Sequence, residues 1–300
     1  MKRGITTKQE TGLGFVLERR MITRSHRLEW LRQQCVGCDI CSAACPLEAV
    51  RLQRGNVENG RLVVRPSIDI DESKCNFCGE CVVLCPTNAL RITVDGEPKI
   101  PVLEYEAFPS LVKEISVNVA ACRPSCKLAC RENCPPEVIQ VETETDSRGR
   151  VKTILDVRID REGCIYCMQC EVACPEGAIS VTKPMAGRVY LDRTRCPKGC
   201  QACVDICPTD ALLLKKGEVL LDERFCLYCG ACQVVCPEEG AIRVERRYVL
   251  HSPVESGAWL AALEKLISAG AMARELDVVA QARRRSILNY LPAVNKKNRS

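Results

Sequence analysis

Cysteine is the residue type whose number and spacing could do chemistry here: there are 24 in 300 residues, and they fall into six quartets. Four quartets follow the pattern C-x2-C-x2-C-x3-C-P: Cys35, Cys38, Cys41, Cys45; Cys75, Cys78, Cys81, Cys85; Cys164, Cys167, Cys170, Cys174; and Cys226, Cys229, Cys232, Cys236. Three closely spaced cysteines on one loop can wrap three corners of an iron–sulfur cubane while the loop's amides point at its sulfurs. The fourth, displaced by a short helical turn, reaches the neighbouring cluster. Proline after it fixes φ and removes a donor, steering the chain away from the loop. Two quartets depart from this spacing, Cys122, Cys126, Cys130, Cys134 and Cys196, Cys200, Cys203, Cys207, yet both keep four cysteines. The expected complement is therefore six [4Fe–4S] clusters, with altered potentials at the two longer loops.

The rival uses of cysteine fit poorly. Zinc ribbons set two C-x2-C pairs across a longer gap, and c-type haem needs histidine directly after a cysteine pair. Disulfides need an oxidising compartment, but Met1 to Glu10 is polar and Phe15-Val16-Leu17 is too short for a signal-peptide core. No membrane span is expected: Gly257 to Ala273 carries Glu264 and Lys265 at its centre and falls short of the roughly 20 apolar residues required. The expected location is cytoplasmic. A formal charge of +5 looks basic, but each cubane with four thiolates carries about −2, taking the loaded chain to about −7. The excess is expected to offset cluster charge. No basic block is interleaved with stacking aromatics, so nucleic acid is not an expected partner.

The quartets must be held by a repeated element. Each ends in Cys-Pro followed by a short apolar stretch, and five are preceded by a strand-like run: Ser67 to Asp71, Ile115 to Val119, Val157 to Asp160, Val189 to Asp192 and Val219 to Asp222. The unit reads strand, cysteine loop, helical turn, strand, with Asp95-Gly96 and Lys216-Gly217 as turns. The fold class is α+β: tandem bacterial-type two-[4Fe–4S] ferredoxin modules with a C-terminal helical tail. Gaps of 29 residues after Cys45 and Cys134 and 18 after Cys207 favour pairing the quartets in order. Ligation would then be crossed, with Cys85 joining Cys35, Cys38 and Cys41. The 21 residues between Cys174 and Cys196 leave a nested pairing open. The expected domains are a basic arm at 1–34, modules at 35–111, 112–186 and 187–250, and a helical docking tail at 251–300.

In that tail, Ser252-Pro253-Val254-Glu255 reads as a capping box. Trp259, Leu260, Leu263, Leu266 and Ile267 recur at helical spacing, Gly270 is expected to break the helix, and a second stretch runs from Ala271 to about Arg285 before Tyr290-Leu291-Pro292. Trp259 would anchor a partner, unless the tail packs on its own modules. The arginines of the arm read as a solvated face. His26 and His251 read as surface residues, and Phe77, Tyr166 and Tyr228 as shields between clusters and water. With no nucleophile–base pair, phosphate loop or nucleotide motif, the expected role is electron transfer rather than catalysis.

The tandem quartets from Cys35 to Ile242 resemble the polyferredoxins of methanogenic archaea. Within these, the layout and the Trp-containing tail are most similar to the polyferredoxin subunit of tungsten or molybdenum formylmethanofuran dehydrogenase, a family member that carries electrons to reductive CO2 fixation. That resemblance implies a wire subunit bound within a large oxidoreductase. The family carries more quartets than the six here, so polyferredoxins of hydrogenase and heterodisulfide reductase complexes, or a free multi-electron carrier, are the alternatives.

Overall fold

The computed structural model describes residues 4–268 continuously, and isolated positions between 270 and 285. Alternating apolar residues build its first sheet. In β1 (Ile5–Thr11), β2 (Gly14–Arg20) and β3 (Ser25–Leu31), the side chains of Phe15, Leu17, Leu28 and Trp30 share one buried face. That face packs on Ile68, Ile70, Phe77 and Ile92 beside the first cysteine loops. The expected basic arm is therefore an ordered meander. Its arginines masked an alternation of large apolar residues that buries one side of each strand. Arg19 is not on a solvated face either. It follows Phe15 and Leu17 on the buried side, is only 8% exposed, donates to the Cys75 carbonyl at 2.6 Å and lies 4.6 Å over the Phe77 ring.

Three copies of one topology follow. In module 1, α1 (Ile40–Ala44), β4 (Val50–Gln53), β5 (Asn56–Glu58), β6 (Arg61–Val64), β7 (Ser67–Ile70), α2 (Glu80–Leu84) and β8 (Leu90–Val94) complete a unit that β3 begins. The outer strands β3 and β8 pair antiparallel, β4 pairs with β7, and β5–β6 lengthens the inner hairpin. The short helix α3 (Pro101–Glu104) leads to module 2: β9 (Glu114–Val117), α4 (Ala129–Glu132), β10 (Ile139–Thr145), β11 (Val151–Ile159), α5 (Gln169–Ala173) and β12 (Ile179–Thr182). Here β9 pairs with β12 and β10 with β11. Module 3 comprises β13 (Met185–Leu191), α6 (Ala202–Ile206), β14 (Leu212–Lys215), β15 (Glu218–Leu221), α7 (Ala231–Val235) and β16 (Ile242–Val249), with β13 on β16 and β14 on β15.

The quartets are thus joined in order, first with second, third with fourth, fifth with sixth, and the nested arrangement does not occur. Module 1 starts at β3 rather than at residue 35, because Ser25–Leu31 supplies the outer strand that the sequence pattern had shown for five quartets only. Lys216 (φ 54°) and Gly217 (φ 80°) form the two-residue β14–β15 turn, whose positive φ values match the twist of a hairpin.

The tail differs from expectation in two ways. Ser252 does not cap a helix: its amide donates to the Ser110 carbonyl at 2.9 Å and its hydroxyl accepts from the Ser110 amide at 3.0 Å, and residues 252–256 form no helix. The helix α8 (Gly257–Leu266) starts later, capped by Ser256, whose hydroxyl accepts from the Trp259 amide and donates to the Ala107 carbonyl at 2.6 Å. It ends at Ile267, which is extended, before Gly270 is reached. The described positions of the second stretch, 272, 273, 276, 277, 280, 281, 284 and 285, are helical as expected, and Tyr290-Leu291-Pro292 lies wholly outside the described residues.

Nor is Trp259 a free anchor. It is 1% exposed and packs with Ile40, Leu84, Val102, Met185 and Val249, with Phe108 edge-on at 5.0 Å and His251 at 4.8 Å. An indole in contact with modules 1 and 3 contributes as core. Trp259→Ala in the cluster-loaded chain alone is expected to cost about 3–5 kcal/mol, measured by anaerobic denaturant unfolding. A side chain that served only to dock a partner would leave the midpoint unchanged.

Candidate metal centres

The cysteine loops owe their shape to left-handed residues. Before the second cysteine of five quartets stand Gly37 (φ 60°), Phe77 (61°), Tyr166 (55°), Gly199 (79°) and Tyr228 (53°). That turn aims an amide back at the first sulfur: Gly37 donates to Cys35, Tyr166 to Cys164 and Tyr228 to Cys226, the last at 3.3 Å. The conformation costs a side-chain-bearing residue about 1–3 kcal/mol. Burial of the Phe77, Tyr166 and Tyr228 rings offsets it. In the third quartet the longer spacing is taken up by two successive left-handed residues, Lys127 and Leu128.

The fourth cysteines accept from amides as well. Ala49 donates to Cys45 at 3.3 Å, Ala89 to Cys85 at 3.2 Å and Ala178 to Cys174 at 3.3 Å. The Thr87 and Thr209 hydroxyls lie 3.8 and 3.6 Å from the sulfurs of Cys85 and Cys207. Both belong to Cys-Pro-Thr triplets, a repeat in the sequence just past the fourth cysteine that the ligand spacing alone does not mark. Hydrogen bonds to cluster sulfurs are a main determinant of potential.

The thiols gather across quartets rather than within them. Cys45 lines one cavity with Cys75, Cys78 and Cys81, of about 410 Å³, and Cys174 another with Cys122, Cys126 and Cys130, of about 380 Å³. Cys134 joins Cys164, Cys167 and Cys170 around about 300 Å³, and Cys207 joins Cys226, Cys229 and Cys232 around about 390 Å³. For the remaining two sets the electrostatics give the grouping: Cys35, Cys38 and Cys41 each feel Cys85, and Cys196 and Cys203 feel Cys236. Among the described residues no three ligating groups converge on one point, as a single ion requires. Thiols spread around a cavity instead suit a cubane.

The modules meet at three of these six sets and at Cys200 of a fourth. Val36, Ile165, Cys167, Cys200, Leu227 and Cys229 share one core, and Cys38 feels the Cys229 sulfur there. Between modules 1 and 2, the Asn88 amide donates to the Cys164 carbonyl at 2.9 Å, and Lys113 donates to the Asn88 side-chain oxygen at 3.3 Å. Between modules 2 and 3, Lys183 donates to the Cys226 carbonyl at 3.0 Å and to the Arg224 carbonyl. Arg246 donates to the carbonyls of Tyr228, at 2.8 Å, and Cys229. The β5–β6 hairpin of module 1 covers module 3: Gly60 accepts from the Gln201 amide at 2.7 Å, and Arg61 pairs with Asp205 at 3.1 Å. A Cβ on Gly60, at φ 75°, would sit 2.8 Å from the Cys200 Cα. Lys113, Lys183 and Arg246 lie outside every motif, which is why the sequence pattern did not mark them. His26 and His251 are half-buried rather than on the surface. Phe77 and Trp259 respectively pack against them.

A pair of antiparallel outer strands, an inner hairpin and two crossed cysteine loops define the two-cluster ferredoxin class. Known proteins agree. Residues 34–89 and 163–211 match the 4Fe-4S dicluster domain family, and 226–241 a 4Fe-4S binding domain. The second match spans the fourth and fifth quartets, which the fold assigns to different modules. Their short spacing imitates a module, whereas the strand pairing sets the true one. A chain of the formate dehydrogenase – heterodisulfide reductase – formylmethanofuran dehydrogenase complex from Methanospirillum hungatei superposes with TM-score 0.76 at 30% identity, covering 89% of this chain and 93% of that one. The polyferredoxin protein MvhB of Methanothermus fervidus is 39% identical over 88 residues, and the putative oxidoreductase UacF of Escherichia coli K12 is 26% identical over 152. These stretches make up 26% and 49% of this chain but only 20% and 21% of those two relatives. This chain belongs to the polyferredoxin-type 4Fe–4S dicluster proteins and binds multiple [4Fe–4S] clusters. No helix among the described residues is long and apolar enough to cross a membrane.

Burial dominates the thiols' acidity and their sulfur neighbours add to it. Cys78 and Cys167 are pushed up to about 11, and Cys170, Cys203 and Cys226 to about 12. These groups are neutral without iron and thiolates with it, so loading expels protons and is favoured as pH rises. Iron bound per chain at limiting iron and sulfide is expected to increase with pH in anaerobic reconstitution, read by iron and labile-sulfide assay. A flat profile would contradict these thiol environments.

Proposed function

We propose that this chain is the electron-transfer subunit of a large oxidoreductase complex, a relay of six [4Fe–4S] clusters serving a formylmethanofuran dehydrogenase-type partner. The observation that carries the reading is the near full-length correspondence with a chain of the methanogen complex, combined with six groupings of four thiols. In each grouping three cysteines come from one quartet and one from its module partner. All 24 cysteines named above are the proposed ligands. A cubane in such a site accepts and returns one electron at low potential, around −400 mV in comparable all-cysteine sites. The chain's own residues hold it by thiolates, aim amides at its sulfurs and exclude water with Phe77, Tyr166 and Tyr228. Thiols kept available to iron suit a reducing, cytoplasmic setting.

A second reading, a free multi-electron carrier, gains from the burial of Trp259. The first turns of the tail are occupied by the chain's own modules, so they supply no argument for a fixed dock. Polyferredoxins of hydrogenase or heterodisulfide reductase complexes are a variant of the first reading. Anaerobic native affinity purification with mass spectrometry at moderate salt separates these cases. Pterin-enzyme subunits in fixed ratio are expected. Hydrogenase or heterodisulfide reductase subunits alone would change the partner, and a lone six-cluster chain would favour the carrier.

Crossed ligation has its own test. Cys38→Ser combined with Cys85→Ser strikes one cluster if the ligands cross and two if each quartet holds its own. Loss of one cluster's iron is expected, by iron assay and by the number of one-electron steps in a potentiometric titration.

A further inference from the structure

Three cations stand at the seams where modules meet. Lys113, just ahead of β9, lies between the Cys85 and Cys164 sulfurs, both of which act on it, and its ammonium sits 5.3 Å from the Tyr166 ring centroid. Lys183, in the link between β12 and β13, lies between Cys226 and Cys167. Arg246, on β16, faces a cavity of about 550 Å³ that Cys38 and Asp39 line from module 1 and Gly230 from module 3. A Cβ on Gly230 would sit 3.1 Å from the Arg246 guanidinium and 3.9 Å from the Cys38 carbonyl. All three cations are half-buried, and among the described residues none forms an ion pair with a carboxylate. Their donors go to carbonyls of the cysteine loops, to Asn88, which in turn holds the Cys164 carbonyl, and, from Arg246, also to the Leu266 carbonyl at 3.4 Å.

A buried cation without a carboxylate partner is costly unless a negative charge compensates it. At each seam the thiolate sets on either side supply compensating charge, joined at longer range by Asp222 and Glu171 around Lys183 and by Asp39 across the cavity from Arg246. An electron added to one of those sets makes it more negative, and a fixed cation at short range in a medium of low polarisability favours that state. We propose that Lys113, Lys183 and Arg246 are positioning residues that raise the reduction potentials of the three inner clusters, each acting on the two clusters it lies between. The inner clusters are those of Cys35/Cys38/Cys41/Cys85, Cys164/Cys167/Cys170/Cys134 and Cys226/Cys229/Cys232/Cys207. The inference rests on the cluster assignment above. It makes the core shared by the modules a three-way junction; the second clusters of modules 1 and 2 lead away from it, and that of module 3 touches it through Cys200. Arg19 uses the same device at a single set, through the Cys75 carbonyl, and so supplies a comparison.

The test is an EPR-monitored potentiometric titration of the intact, cluster-loaded chain with titanium(III) citrate. Each step passes one electron from Ti(III) to one cluster, with no bond made or broken. Lys113→Gln, Lys183→Gln and Arg246→Gln keep a hydrogen-bond donor without the charge. Each is expected to move two one-electron steps downward, lowering the reduced-to-oxidised ratio at fixed potential about tenfold, or about 59 mV. Arg19→Gln should move one step, and Lys152→Gln, on the exposed β10–β11 hairpin, none. Lys113→Arg, Lys183→Arg and Arg246→Lys should restore the parent midpoints. Unmoved midpoints in the Gln variants would overturn the proposal, as would charge-keeping variants that shift as far as the Gln ones. Iron content is read in parallel: a parent chain that binds fewer than six clusters defeats the cluster assignment instead. Iron loss shared by the Gln and charge-keeping variants would mark a packing role, contrary to the proposal.

Discussion

The constraint on which the structure depends is that no cysteine loop completes its own set of thiols. Three sulfurs on one loop must be met by a fourth from the partner loop, so the two short helices of each module are held against each other and the outer strands must close the unit. This explains how a chain with only 4% aromatic residues folds at all. Its module interiors are organised around thiol-lined cavities, with Ala49, Ala89 and Ala178 small enough to bring amides onto sulfur and a few large rings placed at the rim. The bound clusters take the place that large apolar side chains hold in an ordinary core.

On that repeated frame the modules differ only in what they add. Module 1 adds the β1–β2 meander and the β5–β6 hairpin, module 2 a long inner hairpin, and module 3 a lengthened β16 that leads into α8. Two of these additions are inter-module fasteners. The β5–β6 hairpin fits over the Cys200 loop, where only glycine can follow the chain at position 60. Helix α8 wedges Trp259 between α1, α2 and the ends of β13 and β16. Electron transfer between clusters falls steeply with distance, so elements that fix one module against the next serve conduction as directly as the ligands do.

Much of this was legible in the sequence because the ligands are local. Spacing within eleven residues identifies a quartet, and Cys-Pro marks its end. Five of six outer or inner strands announced themselves by alternation, and Ser25–Leu31 did not, because Arg27 and Glu29 drew attention to charge while Leu28 and Trp30 carried the core face. The pairing of quartets was favoured but not fixed by gap lengths, since the short gap between Cys174 and Cys196 imitates a module. Only strand register resolves it. Ser252 looked like a cap because the local pattern is right, but its backbone was already committed to Ser110, a partner 142 positions away.

Lys113, Lys183 and Arg246 belong to the class of residue that local patterns cannot reveal. Each sits apart from any motif and acquires meaning only because two modules close on it. Their positions also bear on the order of assembly. A lysine or arginine at a seam gains much of its compensating charge only when the clusters on both sides are in place, so the seams gain stability from loading. Loading and docking of the modules are then coupled: each set of thiolates that binds iron strengthens the seam beside it. A closed seam in turn shields the cysteine loops from water. The same juxtaposition of charge that favours an added electron thus favours the assembled over the separated modules.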